Sequence, residues 1–248
     1  GMLHDFLITD KHLLLILPSL KTNSQDPGYF SATYFDKDQA MEVLVVDKNS
    51  LALKKRYQLA PGFVFHFGNA WEETDGTIHF DASLYPNADV LDKMSLLMQG
   101  KTPAHDAHAQ TALIQLNPNG SSNVDFVGSS SEFPRVLQHL TGVKNRDIFH
   151  LSRSNDSLWS DSVNCLKVSS GKQDSYHYGS DFLVEEHVPI CPTRVEGTGY
   201  LLGTALHVPS RRTCLNIFEA ANLAAGPIAR AWLPHHLPLG FHGNFVST

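Results

Sequence analysis

Fourteen histidines are spread over 248 residues. Three of them stand in contexts unlike the rest. His4 lies in Met2-Leu3-His4-Asp5-Phe6, His66 in Phe65-His66-Phe67-Gly68-Asn69-Ala70-Trp71-Glu72, and His242 in Leu239-Gly240-Phe241-His242-Gly243-Asn244-Phe245. Neutral imidazole is the commonest metal-ligating side chain, so metal binding is the chemistry to weigh. A bound imidazole usually gives its second nitrogen to a carboxylate. Two carboxylates occupy distinctive contexts: Glu132 in Glu132-Phe133-Pro134-Arg135, and Glu186, beside Glu185, in Glu186-His187-Val188-Pro189-Ile190. Taken singly, each residue has an ordinary reading. His66, between two phenylalanines, would be a core histidine. His4 and His242 would be residues near chain ends, and the carboxylates would be solvated charges. Gly240 and Gly243 suggest close backbone approach around His242.

Together, these motifs resemble the carotenoid-cleavage dioxygenase and lignostilbene dioxygenase family (the retinal pigment epithelial membrane protein family). The order along the chain is the family's, from His4 to Phe245. The resemblance implies an all-β fold, the C-terminal blades of a seven-bladed β-propeller with short helical insertions, over one domain spanning 1–248. It implies that His4, His66 and His242 are the second, third and fourth of the family's four iron(II) ligands. Glu132 and Glu186 become two of its three carboxylates that hydrogen-bond ligand imidazoles, and Phe65 and Phe245 line an apolar substrate tunnel. The implied activity is a non-haem iron dioxygenase reaction: oxidative cleavage of a C=C double bond in an apocarotenoid or stilbene, with dioxygen and an apolar conjugated substrate as partners. The first ligand and one glutamate have no counterpart in this sequence. The expectation is therefore impaired activity, and the alternative is a non-catalytic partial propeller, a fragment or interaction scaffold.

The elements that must position these residues are short strands separated by turn residues. Strands are expected at His12–Leu17, Phe30–Phe35, Met41–Asp47, Phe63–Phe67, Thr77–Asp81, Thr111–Leu116, Val124–Val127, Asp147–Leu151, Val163–Val168, Tyr200–His207, Cys214–Phe218 and Ile228–Trp232. Asn, Asp, Gly and Ser mark reversals at Asp47–Ser50, Asn117–Gly120, Ser169–Lys172 and Ser210–Thr213. Repeated hairpins suit propeller blades, although a sandwich would show the same pattern. Ala88–Gln99 breaks the theme, with Val90, Leu91, Met94, Leu97 and Met98 at helical spacing. That apolar face would pack on the core or cover a substrate tunnel. A helical turn is expected at Asn222–Gly226.

Composition excludes several functions. Lys and Arg number 19 against 25 Asp and Glu, a net charge of −6, and no basic block exceeds Ser210-Arg211-Arg212. A nucleic-acid partner is not expected. Leu13–Leu17 is too short to span a bilayer. Cys165, Cys191 and Cys214 lack any CxxC pairing and suit three reduced thiols in a cytoplasmic protein. No nucleophile elbow, dinucleotide fingerprint or P-loop is present. His105-Asp106-Ala107-His108 mimics a metal spacing but belongs to a polar loop, and His235 and His236 are assigned no metal. A shortened propeller would expose blade faces and strand edges, so a homo-oligomer is expected, through the strands around Leu13–Leu17 or the face they leave open.

Overall fold

The computed structural model describes residues 3–23, 25, 32–103, 106–128, 130–155 and 157–246. They divide into two compact units, 1–128 and 129–248. Each unit contains two four-stranded antiparallel sheets.

In the first unit, one sheet has the order β1 (Leu7–Ile8), β2 (His12–Leu17), β5 (Met41–Asp47), β6 (Leu53–Leu59). A two-stranded ribbon of β3 (Leu20–Thr22) and β4 (Thr33–Phe35) interrupts it between β2 and β5. The strand expected from Phe30 is thus seen from Thr33, and its first residues, 30 and 31, lie outside the described residues. The second sheet runs β7 (Phe63–Glu72), β8 (Ile78–Tyr85), β9 (Gln110–Leu116), β10 (Ser122–Val127). Alternation builds the core: Leu14, Ile16, Met41, Val43 and Val45 meet Val64, Phe67, Phe80, Ile114 and Leu116 in one apolar cluster. β2 sits inside its sheet, paired with β1 on one side and β5 on the other. β5 pairs with the whole of β2, whereas β1 reaches only Leu13 and Leu14.

The second unit repeats the plan. One sheet is β11 (Glu132–Arg135), β12 (Asp147–Ser152), β13 (Ser162–Lys167), β14 (Gln173–His177). The other is β15 (Phe182–Ile190), β16 (Tyr200–His207), β17 (Arg212–Glu219), β18 (Ala229–Trp232). Leu151, Val163, Val184, Leu201, Ala205 and Phe218 form its core. Asp174 joins the two sheets by accepting the backbone N–H groups of Leu223 and Ala224, which belong to the helical turn expected near Asn222.

The four expected reversals all lie between paired strands. At the first, Asp47 Oδ1 accepts the N–H groups of Asn49 and Ser50, as short polar side chains do in turns. Helix α1 (Asp89–Met98) occupies the insertion between β8 and β9. Asp89 and Asp92 in its first turn complement the helix dipole. Gly100, at φ +69, closes it with a Schellman pair: its N–H donates to Leu97 O, and that of Lys101 donates to Leu96 O. Val90, Leu91 and Met94 pack on Phe63, Phe65 and Tyr85, while Met98 is 84% exposed. Among the described residues no helix is long and apolar enough to cross a membrane.

Candidate metal centre

Each chemically interesting residue upstream of the last strand lies on, or leads into, the first strand of a sheet. His4 precedes β1, His66 lies on β7, Glu132 opens β11, and Glu185 and Glu186 lie on β15. Three of these strands lose register with their neighbours where those residues fall: β7 between Val64 and Phe67, β11 between Glu132 and Arg135, and β15 between Val184 and His187. An irregularity of this kind bends a strand and re-aims a side chain that strict alternation would fix.

In the first unit the imidazoles of His4 and His66 lie edge to face, with ring centroids 5.2 Å apart. Phe65 flanks both, at 5.3 Å from His4 and 5.9 Å from His66. It also packs edge-on against Phe63 and Tyr85, so the histidine pair borders the apolar cluster that α1 covers. A second shift in β7, between Phe67 and Ala70, takes Gly68 and Asn69 out of register with β8. Asp81 of β8 fills the gap. Its Oδ1 accepts the Asn69 N–H at 3.0 Å, and Oδ2 lies where a Gly68 side chain would begin, 2.2 Å from an ideal Cβ. Burial pushes the Asp81 carboxyl up to about 7. Glu72, at the end of β7, holds the β1–β2 turn: Thr9 Oγ1 donates to its Oε2 at 3.2 Å, and His12 Nδ1 meets the same oxygen at 2.9 Å.

In the second unit His242 belongs to an arm, 233–246, with no helix or strand. Two adjacent glutamates hold it. Glu185 accepts the Gly240 N–H and the Thr204 hydroxyl. Glu186 places Oε1 3.5 Å from His242 Nδ1 and accepts the Gly243 N–H on Oε2 at 3.0 Å. Glu186 is thus the carboxylate beside the imidazole, and Glu185 binds the arm's backbone. The Phe133 ring lies edge to face with His242 at 5.4 Å. Glu132 is half-buried, and its Oε2 accepts the Phe133 N–H at 3.0 Å. Phe245 is 46% exposed.

Behind Glu186, His187 braces the irregularity in β15. Its Nδ1 donates to Glu185 O at 2.7 Å, and Nε2 accepts from the Tyr178 hydroxyl at 2.9 Å. Gly203 makes room for it, because a Cβ there would fall 2.3 Å from the ring. Burial pushes His187 down to about 4, so the imidazole is neutral near pH 7.

The sequence expectation for the arm's glycines needs correction. A Cβ at Gly243 meets nothing within 4 Å, and one at Gly240 approaches Glu185 Oε1 only to 3.5 Å, ordinary contact. The left-handed residue is Phe241, at φ +61, which is costly without glycine. In the polar loop, His108 Nδ1 pairs with Asp106 at 3.3 Å with both side chains exposed, and His105 lies outside the described residues. Cys165, Cys191 and Cys214 are free thiols.

The sequence model of the retinal pigment epithelial membrane protein family matches residues 1–247. The chain belongs to this family. Carotenoid 9,10(9',10')-cleavage dioxygenase 1 of Arabidopsis thaliana is 25% identical over 268 residues, covering 99% of this chain and 48% of the relative. Lignostilbene-alpha,beta-dioxygenase isozyme III of Sphingomonas paucimobilis is 35% identical over 82 residues, covering 32% of this chain and 17% of the relative. The crystal structure of the cobalt-substituted Synechocystis ACO superposes on 100% of this chain and 53% of its own, with a TM-score of 0.88 and 22% identity. The chain spans about half the length of the curated relatives that match along all of it. This member of the retinal pigment epithelial membrane protein family is all-β, and its four-stranded sheets are propeller blades. Glu72 and Arg135 stand inside the motifs but carry no sign of their task, and nothing in the sequence marks Thr9 or Asp81. Their roles come from partners far away in sequence.

Proposed function

We propose that His4, His66 and His242 are ligands of one non-haem iron(II) in an oxygenase that cleaves a C=C double bond of an apolar conjugated substrate, an apocarotenoid or a stilbene. The observation that carries this is the pair of local environments. His4 and His66 sit 5.2 Å apart beside an aromatic wall, and His242 sits on a carboxylate only 4% exposed.

The donor set fits iron(II). Imidazoles suit it, and a set without a ligating carboxylate leaves the ion positively charged. Engagement of His242 Nδ1 by Glu186 gives Nε2 the ligating role and fixes the ring. When bound, iron supplies the activation of dioxygen. The overall reaction balances without a reductant: the double bond is broken, each carbon receives one oxygen atom, and two carbonyl products form. The chain's own part is to bind and orient. Phe65, with Phe63 and Tyr85, offers apolar surface next to the histidine pair. α1 keeps water from that surface through Val90, Leu91 and Met94. Phe245 is proposed as a further apolar contact for the substrate.

The test is anaerobic loading with iron(II), then oxygen uptake and carbonyl analysis with a stilbene and an apocarotenoid. Wild type should turn over slowly, in keeping with the impaired activity expected from the sequence, consuming one dioxygen for each pair of carbonyl products, and His66→Ala should consume none. Iron-independent turnover, or an unaltered His66→Ala variant, contradicts the reading.

A further inference from the structure

Arg135 is neither one of the proposed ligands nor one of the carboxylates, yet it touches both the arm and its glutamate. It ends β11, the short strand that Glu132 begins. Its Nε lies 3.3 Å from Glu186 Oε1, and its Nη2 donates to Gly243 O at 2.8 Å. Glu186 Oε1 is the same oxygen that faces His242 Nδ1 at 3.5 Å, and Oε2 holds the Gly243 N–H. Both backbone groups of Gly243 are therefore held by a charged pair drawn from two sheets of the unit.

The pair matters because of where His242 stands. The 233–246 arm has no strand ladder to fix it, and most of it is exposed. Beyond Leu237, the backbone partners are mainly side chains: Glu185 at Gly240, and Glu186 with Arg135 at Gly243. A planar guanidinium can span a carboxylate and a carbonyl in fixed directions, whereas a lysine ammonium delivers only a point charge.

We infer that Arg135 is a positioning residue, which latches the C-terminal arm to Glu186 and so sets the place of His242 before any metal binds. This rests on the proposed iron site for its metal consequence, but the latch itself can be read without metal. Charge-assisted bonds at Gly243 slow local opening of the arm. The guanidinium also restrains Glu186 Oε1, so the carboxylate meets His242 in one orientation.

The experiment uses the full chain with Arg135→Gln and Arg135→Lys, and measures two things. Amide hydrogen exchange over 240–243 is followed in metal-free protein, and affinity for cobalt(II) alone is measured by titration. Far-ultraviolet circular dichroism checks that each variant is folded; because Arg135 is 34% exposed, both should be. Arg135→Gln should exchange at least about tenfold faster over 240–243 and bind cobalt(II) about 10–100-fold more weakly, the usual cost of losing a partner behind a ligand. Arg135→Lys should restore neither fully. Unchanged exchange in both variants overturns the latch, and unchanged cobalt affinity overturns its bearing on the ligand. Wild type that binds no cobalt(II) refutes the iron-site reading and the metal consequence drawn from it, while the exchange result still decides the latch.

Discussion

Thr9 Oγ1 donates a hydrogen bond to Glu72 Oε2 at 3.2 Å, across sixty-three residues of sequence. The contact joins the turn after β1, which follows His4, to the end of the strand that carries His66. Glu72 is 5% exposed in its side chain and also binds His12 Nδ1 at 2.9 Å, so two elements are tied by one carboxylate. Glu72→Ala leaves both partners without it. It should cost about 1.5–3 kcal/mol in urea unfolding, the range for hydrogen bonds to charged groups. Thr9→Val should cost about 1 kcal/mol, and less in the Glu72→Ala background. Strict additivity of the two changes would show that the contact carries no coupling.

Gly68 is required by its neighbour rather than by its own backbone. A Cβ there would overlap the buried carboxyl of Asp81. Gly68→Ala should destabilise the chain by about 1–3 kcal/mol, as overpacking does. Removing the obstacle in Gly68→Ala/Asp81→Ala should recover part of that loss relative to Asp81→Ala alone. Thermal or urea unfolding of the four proteins measures the coupling. A well-tolerated Gly68→Ala single variant would contradict this account of the β7 irregularity.

Acid should weaken the protein, with Asp81 working against the trend. Burial pushes His150 and His187 down to about 4, so the unfolded chain binds protons there that the folded chain does not. Their contribution is full above about pH 6.5 and is lost as pH falls toward 4. Asp81, raised to about 7, does the opposite: its contribution is full below the ordinary carboxylate range and is lost as pH rises through 7. Asp81→Asn removes the opposing proton. Between about pH 4.5 and 6, unfolding free energy should then rise with pH more steeply than in wild type, by about one proton or roughly 1.4 kcal/mol per pH unit. Parallel profiles would show that Asp81 does not hold its proton in the folded state.

The legible parts of the fold were those that local physics writes into short windows. β2 and β5 are apolar runs and lie at their expected bounds. α1 differs from its expected span by a single residue at each end. β6 was missed because Lys54, Lys55 and Arg56 mask the alternation of a sheet-edge strand, where charge is useful. β15 was missed because Glu185, Glu186 and His187 interrupt its apolar run. Those same residues supply the carboxylates and the buried imidazole that hold the arm, so the pattern fails where the arm is anchored. His66 and Glu186 stand out in the sequence through their motifs. The tasks of Glu72, Asp81 and Arg135 depend on partners from twelve to more than a hundred residues away, and no local window contains both members.

The central claim is that His4, His66 and His242 hold one iron(II). The most direct measurement is anaerobic iron(II) binding to wild type, His66→Ala and His242→Ala, with X-ray absorption on the loaded wild-type protein. The account predicts one tightly bound iron per wild-type chain, with imidazole nitrogens about 2 Å away, and loss of that iron in both variants. Retention of full iron binding in His242→Ala, or an absorption spectrum without imidazole scattering, would contradict it.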